Sequence, residues 1–151
     1  EADFQAMGLK CIETEVDRRG INPKRDLKLL NFYRRLLKAE KPDMVITHWP
    51  IDSHRDHRVC ALLVYDAWRR TGYNFDLYYA EAMSGLQSQN FTPTLWVDIT
   101  EYRDQKDKAC HCHVSQGMNE IKIWHDAMEI MRGLEHHCKY GEAFIKQQWK
   151  D

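Results

Sequence analysis

The chain has 151 residues, 22 basic and 23 acidic side chains and a formal net charge of −1, with opposite charges interspersed. That length suits one domain with its own core, expected over residues 1–151, and the absence of a basic face argues against nucleic acid. No apolar run approaches the ~20 residues of a membrane span, and five cysteines, an odd number without a small-scaffold spacing, point to reduced thiols and a cytoplasmic setting.

Residues 1–7 read as the end of a helix closed by Gly8, residues 9–16 as a loosely alternating strand, and residues 17–20 as a polar turn. Asn22-Pro23 is a helix start, an N-cap followed by proline at the first helical position. Leu29, Leu30, Tyr33, Leu36 and Leu37 continue it as an apolar stripe to about Glu40, and Pro42 ends it. The run Met44-Val45-Ile46-Thr47 reads as a buried strand leading into Asp52-Ser53-His54-Arg55-Asp56-His57-Arg58. A second helix runs from that turn to about Arg70 and stops at Gly72. Residues 77–80 and 94–99 read as strands, and residues 84–92 between them as a polar, flexible loop. Thr100 is placed to cap a helix over 101–113, Gly117 breaks it, and a further helix over 119–134 carries Ile121, Trp124, Met128 and Met131 at helical spacing. A short last strand is expected over 140–145. Alternating strands and helices predict an α/β, Rossmann-like domain with a mainly parallel sheet and helices on both faces.

The histidine turn is the chemical feature. A strand-to-helix turn in an open α/β sheet is where ligands are placed. Ser53 followed three residues later by Asp56 matches a capping box, with Ser53 as N-cap. His54 and His57, three apart, share a helical face near the positive end of the helix dipole, which favours neutral imidazole able to bind metal. Asp52 and Asp56 act the other way, by accepting a ring N–H. His48, at the strand's end, reads as a structural or rim residue.

Thr47-His48-Trp49-Pro50 followed by Asp52-x-His54-x-Asp56-His57-Arg58 resembles the second signature of the PIG-L/LmbE family of zinc-dependent N-acetylglucosaminyl deacetylases, with Arg55 where the family has proline. Four further segments resemble family segments in the same order. They are Glu1-Ala2 through Ala6 to Gly8, Pro42-Asp43-x-Val45, Lys106 through His113-Val114-Ser115-Gln116, and Tyr140-Gly141-Glu142-Ala143-Phe144. The resemblance implies metal-assisted amide hydrolysis that releases acetate and a free amine from an amino-sugar conjugate. It implies His57 as a zinc ligand, His54 as the protonated group facing the oxyanion, and Asp56 as the partner orienting His54. Asp52 supports the turn or meets substrate. The family's first signature, Ala-His-Pro-Asp-Asp-Glu, which supplies two further ligands and the general base, is absent from the chain, and so is the strand before it. The resemblance therefore implies a truncated domain, inactive by itself and prone to aggregate through its unpaired sheet edge. It implies no position on oligomeric state beyond leaving a homo-oligomer open.

Three other readings compete. The first is a non-catalytic relative of the same fold that binds a sugar or a protein. The second is a different metal site built from Cys110-His111-Cys112-His113 with His136-His137-Cys138; its ligand types suit zinc or copper, but its spacing is not that of a finger. The third, a nucleotide-binding domain, is set aside because no glycine-rich phosphate loop is present.

Overall fold

The computed structural model describes residues 8, 10–12, 22–114 and 117–149. The helix expected over 1–7, the turn over 17–20, most of the strand expected over 9–16, and Ser115 and Gln116 lie outside these; residues 10–12 are described and are not in a strand. In chain order the elements are α1 (Pro23–Glu40), β1 (Met44–His48), α2 (Arg55–Arg70), β2 (Asp76–Ala80), β3 (Leu95–Asp98), α3 (Arg103–His111), α4 (Met118–Glu135) and β4 (Gly141–Lys146). None of these helices is long and apolar enough to cross a membrane.

The sheet is mixed, in the order β1-β2-β4-β3. β1 and β2 run parallel, with Met44 opposite Asp76 and His48 opposite Ala80. β4 lies antiparallel to β2, pairing Tyr78 with Lys146 and Ala80 with Phe144. A strand reached directly from the preceding helical hairpin can enter in either direction, and alternation in the sequence carries no sign of that direction.

Two compact units divide the chain, one of Glu15–Leu95 with Ala143–Asp151, the other of Glu1–Thr14 with Trp96–Glu142. The first is built on a crossover from β1 through α2 to β2. Ala61, Val64 and Trp68, spaced three and four apart, bury one face of α2 against Phe75, Leu77 and Tyr79. The indole N–H of Trp68 donates to the Phe75 carbonyl at 2.9 Å, so the largest core side chain leaves no polar atom unmet. Asn22 caps α1 by accepting the Arg25 N–H at 3.2 Å, ahead of Pro23. At the other end Lys41, at φ 45°, closes the helix through its N–H to the Leu37 carbonyl. β1 is a strand, as its sequence suggests, but only Thr47 is buried; Met44 and Ile46 are 55% and 50% exposed. Period-two alternation sends Val45 toward the core and those two to the opposite face of a strand that, among the described residues, lies at the sheet's edge.

In the second unit, ion pairs bring α3, α4 and β4 together. Lys106 lies 2.8 Å from Glu129 and 2.6 Å from Glu142. Arg103 meets Glu129 at 3.2 Å and also Asp126, and Lys122 meets Asp107 at 2.6 Å and Asp126 at 3.0 Å. Glu129 is only 5% exposed, and two cations on α3 compensate its burial. Thr100 does not cap α3, which starts at Tyr102 without a side-chain cap; its hydroxyl instead accepts the Tyr140 N–H at 3.3 Å.

Candidate functional site

The site forms at the carboxyl ends of the parallel strands β1 and β2, in the turn that enters α2. β1 delivers His48, and Trp49 N–H bonds the Ala80 carbonyl at 3.1 Å, extending the pairing one residue past the strand. The chain then turns on Asp52. One carboxylate oxygen, Oδ1, accepts the His54 N–H at 2.7 Å. Arg58, one turn into the helix, reaches back and donates to the carbonyls of Asp52 and Ser53 at 2.6 and 3.1 Å. These bonds draw the helix start one residue past the expected place. The N-cap is His54, whose Nδ1 accepts the Asp56 N–H at 3.2 Å, while the Ser53 N–H is spent on the Gln87 carbonyl.

Three imidazoles gather here. His57 stacks on His48 with ring centroids 3.9 Å apart and planes 2° apart, and His54 lies 4.6 Å from His57, tilted by 30°. His48 is thus not a rim residue but one wall of the cluster. Burial, followed by the neighbouring His57, holds the His48 ring below its ordinary pKa, against the opposing pull of Asp52.

His57 Nδ1 lies 3.2 Å from Asp52 Oδ2. It is also a buried nitrogen with no acceptor at hydrogen-bond angle, so the contact is close but not well aligned. A small ring rotation would supply the angle, and among the described residues Asp52 is the acceptor that lies close to that nitrogen. Asp52 itself is 5% exposed, with its side chain almost fully enclosed. Burial pushes its carboxyl pKa up, but the His54 N–H, His57 and the Ser88 hydroxyl outweigh that and hold it below the usual value, so the group is a carboxylate near neutral pH.

Both oxygens of Asp52 are engaged inside the protein, which fits its expected part in supporting the turn. His57 Nδ1 lies beside that carboxylate, an arrangement that suits a ring binding a metal through Nε2. His54 Nδ1 accepts the Asp56 backbone N–H, which leaves Nε2 as the position of that ring able to donate. The donor chemistry at His57 fits zinc, but among the described residues no three histidine, cysteine or acidic side chains converge to hold an ion. The same finding separates the cysteine–histidine segments of α3 and residues 136–138: Cys112 donates to the Lys108 carbonyl at 3.4 Å and Cys138 to the Tyr140 carbonyl at 3.2 Å.

Ser88 carries no sequence signal and is the residue that the motif does not reveal. It is 1% exposed, and its hydroxyl donates to Asp52 Oδ2 at 3.2 Å. The segment around it is a loop, as expected over 84–92, and it is tied to the site by backbone and side-chain bonds. Asp52 and Ser88 form an antiparallel bridge, Gln89 N–H bonds the Ile51 carbonyl at 2.9 Å, and the Trp49 indole bonds the Gln89 carbonyl at 2.9 Å.

No family model matches the chain. Solved structures do. N,N'-diacetylchitobiose deacetylase from Pyrococcus horikoshii superposes with a TM-score of 0.69 at 19% identity, over 97% of this chain and 60% of its own. The 4-carboxy-2-hydroxymuconate hydratase GalB from Pseudomonas putida gives 0.67 at 20% identity, over 90% and 63%. The conserved protein TT1542 from Thermus thermophilus gives 0.65 at 24% identity, over 84% and 59%. This chain has their fold. It spans about three fifths of the length of each. A deacetylase and a hydratase on one fold show that the backbone alone does not select the reaction.

Proposed function

We propose that this chain contributes His54, Asp56 and His57 to the active site of a zinc-dependent deacetylase that hydrolyses the N-acetyl group of an amino-sugar conjugate. The observation that supports this most is the His57–Asp52 pair, which leaves Nε2 of a half-buried histidine free at the carboxyl end of a parallel sheet. His57 would be one of three protein ligands, the other two and the general base coming from outside the described residues. A zinc ion held there would lower the pKa of a bound water to about 7 and polarise the amide carbonyl.

The chain's own residues supply the rest. His54 offers its Nε2–H to the oxygen that gains charge as the carbonyl is attacked, and the Asp56 N–H keeps that proton on Nε2 by occupying Nδ1. Asp52, held as a carboxylate, keeps His57 in its ligand tautomer. His48 covers one face of the His57 ring and keeps water from it. Free thiols at Cys11, Cys60, Cys110, Cys112 and Cys138 support a reducing, cytoplasmic location. The partner is a small-molecule substrate, and a homo-oligomer is compatible with this reading.

The non-catalytic alternative rests on one observation, the lack of three converging donors among the described residues. One experiment separates the two. Protein expressed from the complete reading frame is assayed for bound zinc and for acetate released from an N-acetylglucosamine compound, beside its His57→Ala variant. About one zinc per chain and acetate release, both lost in the variant, support the deacetylase. Absence of both from the unaltered protein supports a binding role.

A further inference from the structure

The bond between Ser88 and Asp52 joins residues 36 positions apart and is one of the most enclosed polar contacts of its unit. Each atom has one role. The Ser88 hydroxyl donates to Asp52 Oδ2 at 3.2 Å. The Ala82 N–H donates to the same hydroxyl oxygen at 2.8 Å, which leaves its hydrogen directed at the carboxylate. The Ser88 N–H in turn bonds the Ala82 carbonyl at 3.0 Å, so the serine is clamped from both sides. Asp52 is therefore held at both oxygens, Oδ1 by the His54 N–H and Oδ2 by Ser88. Oδ2 is also the oxygen that faces His57 Nδ1. With Ser88 removed, only one oxygen would be anchored, and the carboxylate would be free to rotate about its terminal torsion, a soft, broad coordinate.

We propose that Ser88 is a positioning residue for the site. It holds Asp52 Oδ2 against His57 Nδ1, and so fixes His57 in the tautomer whose Nε2 is free. The purpose of that tautomer, metal binding, rests on the deacetylase reading above; the tautomer itself is a property of the metal-free protein. The segment 82–90 then acts as a buttress built into the site.

The test uses metal-free protein from the complete reading frame, with the side-chain nitrogens of His57 resolved by ¹⁵N NMR. The unaltered protein should show His57 mainly with its proton on Nδ1, and Ser88→Ala should convert this to a mixture with the Nε2–H form. Zinc affinity is then measured by chelator competition in both proteins and again on an Asp52→Asn background. A direct partner of a ligating histidine is worth about 10- to 100-fold in affinity, and Ser88, one bond further out, should cost about fivefold. On the Asp52→Asn background Ser88→Ala should cost nothing more, because its effect passes through that carboxylate. An unchanged tautomer in Ser88→Ala overturns the proposal. An equal affinity loss on both backgrounds also overturns it, since the hydroxyl would then only be packing the segment. If the unaltered protein binds no zinc, the deacetylase reading falls, and the tautomer comparison alone decides the role of Ser88.

Discussion

His54 and His57 are three residues apart, and each ring meets a different group through Nδ1. His57 presents Nδ1 to a carboxylate, and His54 presents Nδ1 to a backbone N–H. The two rings are therefore not interchangeable, and their variants should fail differently. His54→Ala should retain zinc while turnover falls by ~100- to ~1,000-fold, the usual loss for one oxyanion donor. His57→Ala should lose the metal. Parallel measurement of metal content and kcat in the two variants checks this; equal metal loss in both would put both rings in the same role. The motif made the two histidines and two acids visible in the sequence, since four chemically matched residues fall within one turn. The resemblance also implied different roles for the two rings. What the sequence did not reveal is Ser88, which arrives from 36 residues away, and the group that each Nδ1 meets.

At the scale of elements, the second unit depends on charges and on two glycines. A Cβ at Gly141 would stand 2.8 Å from the Arg132 carbonyl carbon and 2.9 Å from Gly133 N, both backbone atoms in the last turns of α4. A Cβ at Gly133 would meet the Cys138 carbonyl oxygen at 2.8 Å. Neither backbone can give way as a side-chain tip can, so Gly141→Ala should cost about 2–3 kcal/mol, read as a shift in denaturant midpoint. Lys106 supplies a second test. Burial pulls its ammonium pKa down, but Glu142 and Glu129 outweigh that and hold it above the usual lysine value. A raised folded-state pKa means that this stabilisation is fully present below the unfolded value of 10.5 and is lost as pH rises through the folded one. Lys106→Met should therefore destabilise the protein near neutral pH by about 2 kcal/mol, a partly buried pair losing one member. It should also flatten the fall in stability above pH 10.5 seen in the unaltered protein. An identical alkaline profile in the two proteins would count against the network. Helix α1 was legible to the residue because Asn22-Pro23 is a local start signal. The start of α3 was not, because Thr100 bonds Tyr140, a partner 40 residues later that no local pattern names.

For the whole molecule, β1 and its surroundings set the behaviour of the chain in isolation. Among the described residues it lies at the edge of the sheet, and Met44 and Ile46 stand about half exposed on one face of it. Such an edge pairs with other chains. Isolated chain should self-associate with rising concentration in sedimentation, and Ile46→Lys should reduce that without lowering the thermal midpoint. Concentration-independent monomers would show that this face is harmless. The strand–helix order was readable, since each buried run is long and bounded by turn residues. The antiparallel entry of β4 was not, as direction leaves no trace in alternation.

The central claim is that His57 Nε2 binds a metal ion while Nδ1 faces Asp52. Its most direct test is the structure of zinc-loaded protein from the complete reading frame, with the ion located by anomalous scattering at the zinc edge. The claim predicts an ion about 2.0–2.1 Å from His57 Nε2. An ion on Nδ1, an ion among the cysteines of residues 110–138, or no bound ion at full loading would contradict it.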